Sequence, residues 1–118
     1  MKENVIMEKS FAFSVRAVNL YKYLSQTKRE YVLSKQIYRS GTSIGANITE
    51  AQRAQSTADF VYKMKIALKE ANETQYWLRL LHETEFLTDQ QFDSLHADLA
   101  EILKILTAIC KNYPQNNL

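Results

Sequence analysis

Gly41, Gly45 and Pro114 are the only glycines and the only proline in this 118-residue chain, and that scarcity constrains the fold more than any other feature. Sheet proteins reverse direction often, and their turns draw heavily on glycine and proline for the backbone angles they need. A chain so poor in both is expected to be all-α. Where the glycines fall matters as much as their number. Both lie in one stretch, "RSGTSIGANITEA", at residues 39–51.

A phosphate-cradling loop of the Walker type requires G-x-x-x-x-G-K-[ST] between a strand and a helix, so that backbone N–H groups and a lysine converge on the anion. Here Gly41 and Gly45 are four apart, Ala46 and Asn47 follow, and no lysine is present. Leu33, Ile37, Ser40, Ile44, Asn47 and Ala51 carry a three-four rhythm straight through the stretch. The helix is therefore expected to continue. Each glycine costs about 0.8–1 kcal/mol of helix propensity relative to alanine, a loss that close packing can offset. Gly41 and Gly45 are accordingly read as positions of close helix contact.

Three capping patterns divide the chain: Thr27 with Glu30, Ser56 with Asp59, and Thr88 with Gln91. They give four helices at about residues 4–24, 28–54, 57–85 and 89–112 in a single domain, 1–118, with Pro114 stopping the last. In the fourth helix Phe92, Leu95, Leu99, Ile102, Leu106, Ile109 and Tyr113 form one apolar seam. His96, Leu103, Ile105 and Cys110 widen it. In the third, Phe60, Met64, Ala67, Ala71, Thr74, Leu78 and Leu81 form the seam, with Tyr62, Ile66, Tyr76, Trp77 and Leu80 off it. Arcs wider than one core contact predict a homo-oligomer, because another copy can cover the excess. A compact bundle that covers both stripes by itself is the plainer alternative.

Charge is segregated along the chain. Residues 1–39 carry eight Lys/Arg against three Asp/Glu (+5), residues 40–82 five against four (+1), and residues 83–118 two against six (−4), which sum to +2. Complementary helix faces would explain this, and so would a basic surface that attracts nucleic acid. Lys22, Lys28, Arg29, Lys35 and Arg39, interleaved with Tyr21, Tyr23, Tyr31 and Tyr38, place cations and stacking rings around the first interhelical turn. They are the candidate nucleic-acid contacts. Arg39, Ser43, Ala46, Glu50 and Arg53 share a further stripe, with Glu50 within ion-pairing reach of Arg53. Glu70 and Glu73 on the third helix need a cation, which Arg39, Arg53 or Arg79 could supply.

Catalysis and cofactors find little footing. A di-iron bundle needs Glu-x-x-His on two helices, whereas the chain has Glu70-x-x-Glu73, isolated His82 and His96, and no Glu-x-x-His. Cys110, the only cysteine, sits in the apolar run "LTAIC" and excludes an internal disulfide or cysteine zinc cluster. No metal, cofactor or catalytic residue is expected, and the chain is read as non-enzymatic. The opening "MKENVIMEKSF" has no secretory apolar core, and no run reaches membrane-spanning length. A cytoplasmic protein without membrane contact is expected.

The segment at residues 40–81, "SGTSIGANITEAQRAQSTADFVYKMKIALKEANETQYWLRLL", together with "KSFAF" at residues 9–13, resembles the small bacterial four-helix-bundle proteins encoded in intervening sequences of 23S ribosomal RNA genes. The resemblance covers nearly the whole chain and is strongest over residues 37–81. It implies an antiparallel up-down bundle assembled as a homo-oligomeric ring, typically a pentamer. The family is also similar to accessory proteins of diversity-generating retroelements, basic barrels that bind nucleic acid and a reverse transcriptase. It thus implies RNA or DNA, or a nucleic-acid-processing protein, as partner beside the chain itself. Its characteristic polar positions fall on Ser43, Asn47, Glu50, Arg53, Glu70 and Glu73. Two departures are Ala51, where many members have glycine, and a net charge of only +2. The expected role is a non-enzymatic binding or scaffold module, with purely protein-protein assembly as the alternative.

Overall fold

The computed structural model describes residues 4–112, and among these the regular structure is entirely helical: α1 (Val5–Lys22), α2 (Leu33–Ala51), α3 (Thr57–Glu83) and α4 (Asp89–Asn112). α1 runs on through one wider π-helical turn, Tyr23–Thr27. Tyr113 and Pro114, expected at the end of the last helix, lie outside the described residues.

Helix boundaries follow from where the first N–H groups find acceptors. The Asn4 side chain accepts from the Met7 N–H at the start of α1, and the Ser56 hydroxyl accepts from the Asp59 N–H at the start of α3. Thr88 and Gln91 form the full reciprocal box: Gln91 N–H donates to Thr88 Oγ1 at 3.1 Å and Thr88 N–H to Gln91 Oε1 at 2.9 Å. The pattern at Thr27 does not cap α2, which begins at Leu33 rather than near residue 28. Thr27 is spent in the π-turn, and Arg29 adopts a left-handed backbone, φ 57°. The cap is Glu30, whose carboxylate accepts from the N–H groups of Val32, Leu33 and Ser34 at 3.2, 2.9 and 2.7 Å. An ionised oxygen pair at the positive end of the helix suits this role. α2 also stops earlier than expected, as three-residue turns at Gln52, Arg53 and Ala54 tighten its exit.

The core is one continuous apolar cluster to which every helix contributes, including Phe13 and Leu20 from α1, Ile37, Ile44 and Ile48 from α2, Met64, Leu78 and Leu81 from α3, and Leu95, Leu99, Ile102 and Leu106 from α4. These are the seams expected for α3 and α4, with Phe60, Phe92 and Ile109 half-buried at their ends. The flanking Ile105, Leu103, Cys110, Trp77 and Leu68 pack partly against the same core. A single copy therefore covers much of the wider arc.

Through the glycines α2 lies close against α1. A β-carbon on Gly41 would stand 2.9 Å from that of Ala17, and one on Gly45 would stand 3.1 Å from Ser14 Oγ and 3.2 Å from the Ser10 carbonyl. The helix is unbroken here, as the three-four rhythm requires.

Polar contacts tie the helices together. Lys9 pairs with Glu101 at 2.9 Å and Arg16 with Asp98 at 2.7 Å, so the basic first helix meets the acidic last one within a single chain. Thr74 donates to Ser40 at 2.9 Å inside the core. Such a bond is worth little net, but losing one partner leaves a desolvated hydroxyl.

Candidate nucleic-acid interface

α1 delivers Val18, Tyr21 and Lys22 to one surface, the π-turn adds Gln26, and α2 contributes Lys35 and Tyr38; together they line an open groove. The rings of Tyr21 and Tyr38 lie with centroids 5.1 Å apart, tilted by 39°. Helical spacing explains the arrangement, since Val18 and Lys22 are four apart on α1, as Lys35 and Tyr38 are three apart on α2. The lining has two cations, two phenol rings and no carboxylate. It can offer aromatic faces to a flat ligand and positive charge to an anion beside it.

The five cations singled out from sequence do not all reach this groove. Lys28 lies on another face, its ammonium 6.0 Å from the Tyr23 ring centroid, in a cleft shared with Glu83, Glu85 and Asp89. Its surroundings are acidic. Arg29 is exposed on the turn itself. Arg39 faces α3, where its guanidinium pairs with Glu70 at 3.3 Å and with Glu73. Only Lys22 and Lys35 are brought together.

The polar positions that the resemblance implies separate into three local arrangements. Glu73 accepts from Arg39 and also from the Trp77 indole N–H at 3.0 Å, which makes Arg39 the cation that Glu70 and Glu73 require. Glu50 pairs with Lys63 of α3 at 2.8 Å rather than with Arg53, because α2 ends at Ala51 and Arg53 has left the helical face. The hydrogen bond to Glu50, and then the charge of Glu50, raise Lys63 above the usual lysine value. Ser43 donates to the Arg39 carbonyl at 2.6 Å and Asn47 to the Ser43 carbonyl at 2.8 Å. Both side chains thus fold back on their own helix.

His82 and His96 are less isolated than their sequence positions suggest. Both stack with Phe92, with centroid separations of 4.3 and 5.2 Å. His82 Nε2 lies 2.7 Å from Asp89 and His96 Nε2 lies 3.2 Å from the Gln75 amide nitrogen. Among the described residues no group of three His, Cys, Asp or Glu is placed to hold a metal ion. Burial raises the Cys110 thiol, with the Lys65 charge partly opposing it. No helix among these residues is long and apolar enough to cross a membrane.

Phe11 and Val15 escaped the sequence reading. They are 72% and 47% exposed, one turn apart on the outer side of α1. Their i, i+4 spacing, out of step with the buried Ile6, Ser10, Phe13, Ala17 and Leu20, is the signal that identifies them.

Residues 2–108 match the family described as 23S rRNA-intervening sequence protein. No curated protein matches the chain. Among solved structures, the chain is similar to a protein with unknown function from the S23 ribosomal protein family of Bacteroides thetaiotaomicron, with 58% identity and a TM-score of 0.89 over 90% of this chain and 98% of that one. The helical architecture and these two matches agree: the chain belongs to the 23S rRNA-intervening sequence protein family.

Proposed function

We propose that this protein is a non-enzymatic binding module, an up-down four-helix bundle assembled as a homo-oligomeric ring, a pentamer, that engages nucleic acid in the cytoplasm. The observation that carries the reading is the groove in which Lys22 and Lys35 flank the Tyr21 and Tyr38 rings with no carboxylate in the lining. Lys9, Arg16, Arg39 and Lys63 are matched by carboxylates, whereas among the described residues neither Lys22 nor Lys35 has an ion pair, so both can meet an external anion. The family's description as 23S rRNA-intervening sequence protein is consistent with such a ligand.

Residue pairs 9 with 101, 16 with 98, 39 with 70 and 73, 50 with 63, and 82 with 89 run in opposite senses, which supports the up-down arrangement. The exposed Phe11 and Val15 supply an apolar strip for a neighbouring copy. A ring repeats a weak cationic groove and multiplies its avidity. A second reading, protein-protein assembly without nucleic acid, draws on that apolar strip alone.

Retention of a structured RNA by the purified oligomer over a salt series tests the proposal. Counterion release makes the logarithm of affinity fall linearly with the logarithm of salt concentration, and Lys22→Gln with Lys35→Gln should weaken retention at every salt concentration. No retention at low salt would leave the assembly reading in its place.

A further inference from the structure

The outer face of α3 carries a second row of cations and rings. Tyr62, Lys65, Lys69, Asn72, Tyr76 and Arg79 follow one another at steps of three and four, and all six are exposed. Tyr62 and Tyr76 are 59% and 55% exposed. Opposite them the buried Met64, Ala67, Ala71 and Leu78 face the core, so the row is the solvent side of the helix. At 1.5 Å per residue it extends about 25 Å.

A lysine row on a helix is often no more than a solvated face laced with carboxylates, but here the carboxylates of α3 are turned elsewhere. Glu70 and Glu73 are held on the α2 side by Arg39. Asp59 accepts from the Gln55 N–H at the helix start. Lys63, on that same flank, is matched by Glu50. Among the described residues Lys65, Lys69 and Arg79 have no ion pair, and Glu83, one turn beyond Arg79, is the only carboxylate on the strip. The helix has sorted its charges, leaving three cations in line between and beside two exposed rings.

From this sorting we infer that the outer face of α3 is a contact surface for single-stranded nucleic acid, additional to the groove between α1 and α2. The inference rests on the nucleic-acid reading of the protein. Cations in line track a phosphodiester backbone, and the phenol rings among them accept unstacked bases, which a duplex keeps inside its stack. That combination favours a single strand over a helix of paired bases.

Fluorescence anisotropy with a labelled uridine 20-mer, and with an RNA hairpin duplex as comparison, tests it on the full-length oligomer. Lys65→Gln, Lys69→Gln and Arg79→Gln together should weaken binding of the 20-mer at least tenfold and flatten its log–log salt slope by about 2, at roughly 0.7 per lost phosphate contact. Tyr62→Leu and Tyr76→Leu should weaken the 20-mer by about tenfold per ring and leave the hairpin unchanged. All five positions are solvent-exposed, and unchanged helical circular dichroism and melting temperature confirm the fold of each variant. If the α3 variants bind like the parent while Lys22→Gln with Lys35→Gln binds less, the inference fails and the groove reading stands. If the parent protein binds neither RNA at low salt, both fail. Equal losses for the hairpin and the 20-mer on removing the tyrosines would overturn the assignment to single strands.

Discussion

Ala17 of α1 lies so near Gly41 of α2 that a β-carbon on the glycine would come within 2.9 Å of the alanine's own. Neither carbon is the end of a flexible side chain, so α1 and α2 themselves must part to admit it. Gly41→Ala gains about 0.8–1 kcal/mol of helix propensity and loses about 1–3 kcal/mol to overpacking. The expected net effect is a destabilisation of up to about 2 kcal/mol by urea unfolding. Adding Ala17→Gly should restore part of the loss through a positive coupling of the two sites. Strict additivity would place the clash elsewhere. Gly45→Leu, facing the Ser10 backbone, should be worse than either.

Thr74→Val keeps shape but removes the hydroxyl that donates to Ser40. The stranded Ser40 oxygen is fully buried, and the loss should be about 1–3 kcal/mol. Combining it with Ser40→Ala should be milder than Thr74→Val alone, which thermal unfolding of the three variants measures.

Arg39→Gln separates structure from binding. Because the Arg39 side chain is half exposed, its pairs with Glu70 and Glu73 are screened, and their loss should cost at most about 1 kcal/mol. RNA retention should be unchanged, since the guanidinium serves α3 rather than the groove. The Trp77 emission should shift as Glu73, its indole partner, is released. Retention falling as far as for Lys35→Gln would return Arg39 to the binding surface.

Cys110 carries a pH signature. Burial raises its pKa, opposed in part by Lys65, so the folded chain holds the thiol proton to higher pH than the unfolded chain does. The associated stability is fully present below the unfolded value of about 8.5 and is lost as pH rises through the folded value. Iodoacetamide should accordingly label Cys110 more slowly in the native protein at pH 8 than in urea. Matching rates would show a thiol free of its apolar surroundings.

Phe11→Asp places a charge on the exposed strip of α1. Exposed in the single chain, the site should tolerate it with little change in helicity, whereas a ring that buries the strip should dissociate. Sedimentation velocity reads the difference, and an intact oligomer would move the interface to another face.

Amphipathic period and capping chemistry are local properties, and they were legible. The apolar seams of α3 and α4 and the reciprocal Thr88 and Gln91 cap follow from side-chain spacing alone. Helix 2 was harder. Thr27 and Glu30 satisfy a capping pattern in sequence, yet the π-turn takes up the threonine and the carboxylate caps three N–H groups further on. A pattern of side chains does not say which backbone angles the connection will adopt.

Charge partners were decided by the tertiary structure. From sequence Glu50 had Arg53 at the right spacing and Arg39 was one of three cations open to Glu70 and Glu73; packing α2 against α3 gave Glu50 to Lys63 and selected Arg39 for Glu70 and Glu73. The same packing set Lys22 and Lys35 together around two tyrosines and put Lys28 among carboxylates. Sequence alone determined that this chain would be helical, where its core stripes run and that Gly41 and Gly45 would admit a close neighbour, because these depend on periodicity along one rod. Which cations remain free depends on how the rods are rotated about their axes, and that is decided only when their cores meet.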